Sequence, residues 1–257
     1  MYPSLFTLGS RTITGYGFFI TLGFGASIGV ILILARRQKL PVTETAAFLL
    51  FGVTAAVLGG RIYIWGAQLL GNLSYYLQSP HKVFQIPFSG GAFHGSVIAG
   101  IFFSLWYLKR FRLPLWKVAD ITAVGTVLGF SLARIGCFMG GCCYGRPSSL
   151  PWAVQFPHLP EPVHPTQLYE SGLNLLNFAF LLYVLRNKKF DGQVIAWDII
   201  LNCSIRFGVE YFRGDPGRGY LIRGAEPLSS LSTPQAICLL GLGVGAVLYS
   251  IRKRVND

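Results

Sequence analysis

The chain has 257 residues, of which 52% are hydrophobic, 14% aromatic and only 12% charged, and its mean hydropathy is +0.51. This composition excludes an ordinary soluble domain, in which about a quarter of the residues are charged. A net charge of +12 and an isoelectric point near 9.7 would suit a nucleic-acid partner, but the basic residues are sorted by loop and are not interleaved with aromatics, so no nucleic-acid partner is expected.

Seven apolar stretches have the length of about 17 to 25 residues that crosses a bilayer as a helix. The first runs from about Thr14 to Ala35, the second from about Thr45 to Trp65, and the third from about Gly91 to Leu108. The fourth, from about Val118 to Phe138, is the least clean because it carries Asp120 and Arg134. A fifth runs from about Thr166 to Leu185, a sixth from about Gln193 to Phe212 and a seventh from about Pro234 to Ile251, with proline, glycine or basic residues in the breaks. Met1 to Ile13 lacks a basic start before an apolar core, so no cleavable signal peptide is expected and the first span stays in the membrane.

Basic residues alternate between loops. Arg36, Arg37 and Lys39 follow span one; Lys109, Arg110, Arg112 and Lys117 follow span three; Arg186, Lys188 and Lys189 follow span five; Arg252, Lys253 and Arg254 follow span seven. The other loops hold Arg11, Lys82, Arg146, Arg213, Arg218 and Arg223. By the positive-inside rule the amino terminus faces out and the carboxyl terminus faces the cytoplasm. The expected fold is therefore an all-α polytopic membrane protein with about seven transmembrane helices, forming one domain over residues 1–257. Proline- and glycine-rich loops at about 144–164 and 213–232 are expected to form a small external head and lid.

Arg61, Arg134 and Arg206 fall inside or at the edges of spans two, four and six. A central arginine costs roughly 2.5 to 3.5 kcal/mol on insertion scales, so such groups face a cavity, pair, or handle a charged substrate. Glu210 lies one helical turn after Arg206 and can compensate it. Arg61 and Arg134 have no acidic residue at that spacing, and a guanidinium without a carboxylate suits bidentate phosphate binding. A snorkelling or structurally paired arginine is the plainer alternative for each taken alone.

Two histidines open spans. His94 sits among small residues in Gly90-Gly91-Ala92-Phe93-His94-Gly95-Ser96 and could accept a proton near neutral pH, or could simply be hydrogen-bonded in a polar cavity. His164 precedes Pro165, which suits the first turn of span five, where Gln167 and Glu170 share a helix face. Glu170 reads equally as a carboxylate favoured by the helix macrodipole.

The end of span four, from Leu132 to Arg146, gathers two arginines, three thiols and four glycines, a pattern unsuited to a lipid-facing helix. Irregular backbone at such a place lines protein or a watery cavity, and glycine lets it approach a ligand closely. Cys137, Cys142 and Cys143 form a C-x4-C-C pattern, neither a C-x-x-C redox motif nor the paired spacing of a structural zinc site, so no metal and no cofactor are expected. Three thiols near His94 or His164 could still bind a metal, and a disulfide stays open as an alternative if the loop faces an oxidising compartment. Cys203 and Cys238 lie in apolar spans and read as small core residues.

Six short motifs in this order resemble the bacterial phosphatidylglycerol:prolipoprotein diacylglyceryl transferase family over nearly the whole chain. They are Tyr16-Gly17, Gly59-Gly60-Arg61, Phe93-His94-Gly95, Arg134-Ile135-Gly136, the run from His164 to Glu170, and Arg206 with Glu210 and Phe212-Arg213. The resemblance implies seven spans with the amino terminus outside, in a bacterial cytoplasmic (inner) membrane, with the active site toward the outer face. It implies transfer of the diacylglyceryl group from phosphatidylglycerol to the lipobox cysteine thiol of a prolipoprotein, forming a thioether and releasing glycerol phosphate. On that basis His94 is the expected base, Arg134 and Arg206 hold the phosphate, and Glu210 orients Arg206. Tyr16 and Arg61 position headgroup or glycerol, Gly145 keeps the backbone close to the lipid, and Gly136, His164, Gln167 and Glu170 complete the substrate site.

Where that family usually has asparagine after Arg-Ile-Gly and glutamate five residues later, this chain has Cys137 and Cys142, and Asn202 stands in place of a usual tyrosine in span six. Three alternatives follow: His94 works without an acidic helper, Glu170 substitutes for the missing carboxylate, or Cys142 itself acts as a nucleophile or redox group. A membrane thiol oxidoreductase using Cys137, Cys142 and Cys143, or a transferase with another acceptor, is the alternative function. A transporter would favour internal repeats, and none is evident between the halves.

Overall fold

The structure is a computed structural model and describes residues 4–8, 11–78, 93–214, 219–222 and 231–256. A short hairpin, β1 (Ser4–Leu8) and β2 (Arg11–Thr14), leads into α1 (Gly15–Arg37). Then follow α2 (Val42–Gly71), the short α3 (Leu73–Gln78), α4 (Phe93–Arg110), α5 (Leu115–Met139), α6 (Thr166–Asn187) and α7 (Gln193–Glu210). A second two-stranded pair, β3 (Tyr220–Ile222) and β4 (Leu231–Ser232), precedes α8 (Thr233–Asn256).

Each apolar stretch is matched by a long helix, and among the described residues five of these helices, α1, α2, α5, α6 and α8, are long and apolar enough to cross a membrane. The chain is thus a multi-pass helical membrane protein. Asp198, Arg206 and Glu210 lower the mean hydropathy of α7. The start of the third stretch lies outside the described residues, as do Lys82, Arg218 and Arg223. Polarity is inverted relative to a soluble protein: on α6, Leu176 is 69% exposed while Glu170, six residues earlier, is 2% exposed. In lipid the apolar side chains need no burial, whereas polar groups must be satisfied inside.

The chain packs as two compact units, one of Ala35–Val118 and one of Met1–Leu34 with Ala119–Asp257. In the smaller unit α2 and α4 meet through small residues. A Cβ on Gly59 would lie 2.8 Å from the Gly95 carbonyl oxygen, and one on Gly95 would lie 2.6 Å from that of Gly59. Such backbone contact is how helices gain packing energy without a hydrophobic drive between them. At the other end of the same seam Phe48 and Phe103 stack at 6.4 Å and Tyr107 donates to the Glu44 carbonyl.

In the larger unit α1 and α5 approach as closely, Gly23 against Gly129. Between α5 and α6, Ser131 Oγ donates to the Ser171 carbonyl at 2.8 Å and Ser171 Oγ returns the bond to Ser131 at 2.9 Å. Asp120, the residue that made span four look unclean, is fully buried and does the work of a missing cap on α7. It accepts the N–H groups of Gly192, Val194 and Ile195 at 3.0 to 3.1 Å and pairs with Lys188 at 2.9 Å. Three of the N–H groups that a helix start leaves without intrahelical partners are thereby satisfied from a neighbouring helix.

Candidate active site

Four charged side chains form a chain across α5, α6 and α7. Glu170 Oε2 is 2.5 Å from Arg134 Nε, Glu170 Oε1 is 2.8 Å from Arg206 Nη1, and Glu210 Oε2 is 2.7 Å from Arg206 Nη2. The expected Arg206–Glu210 pair is present. Arg134 does have a carboxylate partner, contrary to the local reading of its helix, because Glu170 comes to it from α6. Glu170 lies on the second turn of α6 and is held by two arginines, which replaces the macrodipole reading. The two acidic and two basic groups balance, which is how such residues are tolerated away from water. Glu170 meets Arg134 through Nε alone among the described contacts, and the Arg134 guanidinium lies 4.7 Å over the Phe130 ring.

One turn further along α5 comes Cys137, and the helix then ends in a Schellman motif. Gly141, in the left-handed region at φ 66°, donates to the Phe138 carbonyl at 3.2 Å, and Cys142 donates to the Cys137 carbonyl at 3.1 Å. That motif sets its residues three from the end and two beyond it against each other, usually as an apolar contact; here they are Cys137 and Cys142. Cys143 is also left-handed, at φ 64°, and the chain folds so that the Sγ atoms of Cys137, Cys142 and Cys143 lie within 4.8 Å of one another. Thr166 Oγ1 donates to the Cys143 carbonyl at 2.8 Å and Gln167 Nε2 to the Cys142 carbonyl at 2.7 Å, tying this turn to the start of α6.

A hydrogen bond from the Cys137 thiol, with Arg213 and Arg134 nearby, pulls the Cys143 thiol down to about 5 against the opposing effect of burial. Burial and the neighbouring Cys143 push Cys142 up. All five cysteines are free; Cys238 is buried and hydrogen-bonded to Cys203, as core residues. No histidine joins the thiol cluster among the described residues.

Tyr16 lies against the same place, its ring 3.4 Å from where a Gly140 Cβ would be. Gly136 faces the Tyr16 carbonyl across the α1–α5 seam, where a Cβ would come within 3.1 Å. Gly145 is enclosed by protein: a Cβ there would lie 2.5 Å from His164 Cβ and 2.6 Å from the Phe212 carbonyl oxygen. The segments at 145, 164 and 213 run together through Gly145 N to His164 O at 2.8 Å and Arg146 N to Phe212 O at 2.8 Å. His164 Nδ1 is 3.2 Å from the Tyr169 hydroxyl, which also accepts Trp152 Nε1 at 2.8 Å. Burial and the charge of Arg146 hold the His164 ring below its ordinary range.

Two apolar clefts accompany the ionic chain. One, of about 710 Å³, is lined by Trp152, His164, Tyr169, Leu173, Ile205 and Phe212 among others. Another, of about 280 Å³, lies between α1 and α5 beside Phe130 and Ala133. Arg61 and His94 belong to the smaller unit. The contact of Gly59 and Gly60 with Gly95 sets their backbones at one end of the α2–α4 seam. The His94 side chain lies outside the described residues. Arg213, 6% exposed and bonded to Cys143, was not singled out from sequence beyond its motif; its signal was a basic residue directly after the helix bearing Arg206.

A family profile described as prolipoprotein diacylglyceryl transferase matches residues 3–251. A protein of Clostridium tetani named phosphatidylglycerol–prolipoprotein diacylglyceryl transferase is 32% identical over 98% of both chains. Proteins of the same name from Geobacter sulfurreducens and Nitratidesulfovibrio vulgaris are 34% identical over 98% of this chain and 96% of theirs, and 37% identical over 79% and 74%. With the match spanning nearly the whole sequence, the chain belongs to the prolipoprotein diacylglyceryl transferase family.

Proposed function

We propose that this protein transfers the diacylglyceryl group of phosphatidylglycerol to the lipobox cysteine of a prolipoprotein at the outer face of a bacterial inner membrane. The observation that carries the reading is the convergence of Arg134 and Arg206, from α5 and α7, on the buried Glu170, while their sequence neighbours Ala133, Ile205 and Tyr169 line apolar clefts. Such clefts suit acyl chains, and paired guanidiniums suit a phosphodiester. The acceptor thiol loses its proton to His94, its sulfur attacks the glycerol carbon that bears the phosphate, and the carbon–oxygen bond breaks as the carbon–sulfur bond forms. Glycerol phosphate leaves with the electron pair, its charge opposed by Arg134 and Arg206. Glu170 and Glu210 fix the two arginines beforehand, so that little reorganisation accompanies the step. Tyr16 and Arg61 position headgroup and glycerol, and Gly136, Gly145, His164 and Gln167 shape the site around them.

The seven-span topology with the amino terminus outside is part of this proposal. It is supported by basic residues in the last turns of α1, α4, α6 and α8. The test is purified protein in phosphatidylglycerol micelles with a lipobox peptide, followed by mass spectrometry. A diacylglyceryl adduct that disappears with His94→Ala or Arg134→Ala is the expected result. A well-folded protein that forms no adduct overturns the reading.

A further inference from the structure

Three thiols meeting at one point, beside the residues assigned to phosphate, are not used by the mechanism above. We propose that Cys137, Cys142 and Cys143 hold a zinc ion through three thiolates, with its fourth tetrahedral position taken by the acceptor's cysteine sulfur. The inference rests on the transferase reading and adds a metal to it.

Geometry is the first support. Zinc binds thiolates at about 2.3 Å in a tetrahedron, which sets its sulfurs about 3.8 Å apart. The three Sγ atoms are already within 4.8 Å of one another, and the Cys137 thiol is hydrogen-bonded to Cys143. Rotation about the Cα–Cβ bonds supplies the remaining contraction. The backbone under them is fixed: the Schellman turn sets Cys142 against Cys137, and Thr166 and Gln167 hold the carbonyls of Cys143 and Cys142.

Charge and surroundings are the second. Three thiolates on a divalent ion leave one negative charge, and Arg213 donates to the Cys143 sulfur while Arg134 lies one turn before Cys137. Donors to ligating sulfurs are the usual outer partners of such a site. Cys142 is exposed, so the cluster reaches the surface where a peptide can arrive. Three protein ligands with one open position are the pattern of a catalytic rather than a structural zinc.

The chemistry is the third. The reaction alkylates a thiol, and a metal-bound thiol is deprotonated at neutral pH. The acceptor RSH gives up its proton to His94 on binding zinc. Its sulfur then forms the bond to glycerol carbon as the carbon–oxygen bond to phosphate breaks, and the released proton is balanced by the departing glycerol phosphate. Nothing is oxidised or reduced, and the thioether, a weaker ligand than a thiolate, leaves the ion.

The experiment uses the full chain purified in detergent with a phosphine reductant and no chelator. Elemental analysis is expected to find about one zinc per chain, lost in Cys142→Ser, which keeps the backbone hydrogen bonds of this turn and a side-chain donor of similar size. Protein stripped of zinc and loaded with cobalt(II) should show a thiolate-to-cobalt charge-transfer band. That band should grow on adding a lipobox peptide and not its Cys→Ser version. Stripping should slow adduct formation about 10- to 100-fold, with recovery on adding zinc. Absence of zinc, zinc content unchanged in Cys142→Ser, or a cobalt spectrum indifferent to the peptide overturns the proposal, as does thiol titration of protein prepared without the phosphine that shows an oxidised pair. Adduct formation at full rate by stripped protein overturns the zinc and leaves the transferase standing. Zinc-bound protein that answers the peptide spectroscopically but forms no adduct overturns the transferase and leaves the metal site.

Discussion

Glu170 joins Arg134 to Arg206: one carboxylate, 2% exposed, forms an ion pair with a guanidinium from α5 at 2.5 Å and accepts a hydrogen bond from another from α7 at 2.8 Å. Removing its charge leaves two cations facing a neutral amide. Glu170→Gln, which keeps the volume, is expected to cost about 3 kcal/mol, the low end for breaking a buried pair because Arg206 is 27% exposed. Transfer is expected to fall about 100-fold. Thermal unfolding in detergent and the adduct assay check both; a variant with the parent's Tm and rate would remove Glu170 from the site.

Arg134 offers more than a charge. It presents Nε to Glu170 while its plane lies over Phe130, a geometry that lysine cannot reproduce. Arg134→Lys is expected to lower kcat/KM by about 100-fold in folded protein. Phe130→Leu, which removes the ring under Arg134 and keeps an apolar side chain on the wall of the smaller cleft, is expected to cost about 2- to 5-fold, the equivalent of 0.5 to 1 kcal/mol. If the lysine variant kept most of its rate, point charge alone would suffice and the forked geometry would have no role.

How much of this was legible in sequence depended on the range of the interaction. The long apolar helices could be read because an apolar run is a local signal, and the Arg206–Glu210 pair because its members lie one turn apart. Glu170, Arg134 and Arg206 were each marked as candidates but not as partners, since the arginines lie 36 residues away on either side of Glu170 and no periodicity links separate helices. The thiol cluster escaped the spacing rules because those do not cover a helix end. Here the C-terminal turn of α5 folds Cys142 back onto Cys137. Gly145 was read as the place where backbone meets lipid; the neighbours that exclude a side chain are His164 and Phe212, contributed by segments far apart in sequence.

At Gly145 a methyl group would fall within 2.7 Å of two backbone carbonyl oxygens, which cannot rotate away. Gly145→Ala is therefore expected to destabilise by about 1 to 3 kcal/mol and to displace His164 and Phe212 from the wall of the larger cleft. Gly172→Ala, where nothing lies within 4 Å of the added carbon, should be stable by comparison. Equal unfolding temperatures for the two variants would mean that the junction of these segments is looser than its hydrogen bonds indicate.

Asp120 and Lys188 give a pH dependence at the opposite end of α6 from the ionic chain. Burial pulls the Lys188 ammonium down, but its bonds to Asp191 and Asp120 outweigh it and leave the group above its ordinary 10.5. A cation bound more tightly in the folded state contributes fully below the unfolded value and is lost as pH rises through the folded one. Lys188→Met should therefore be less stable than the parent at pH 8, by about 3 kcal/mol, the low end for a broken buried pair, since three backbone N–H groups still hold the Asp120 carboxylate. The difference in Tm between parent and variant should narrow above pH 10.5. Comparing the two at each pH cancels the titration of all other lysines and tyrosines. A gap that stays constant or widens on going alkaline would show that Lys188 holds the start of α7 by packing and not by charge.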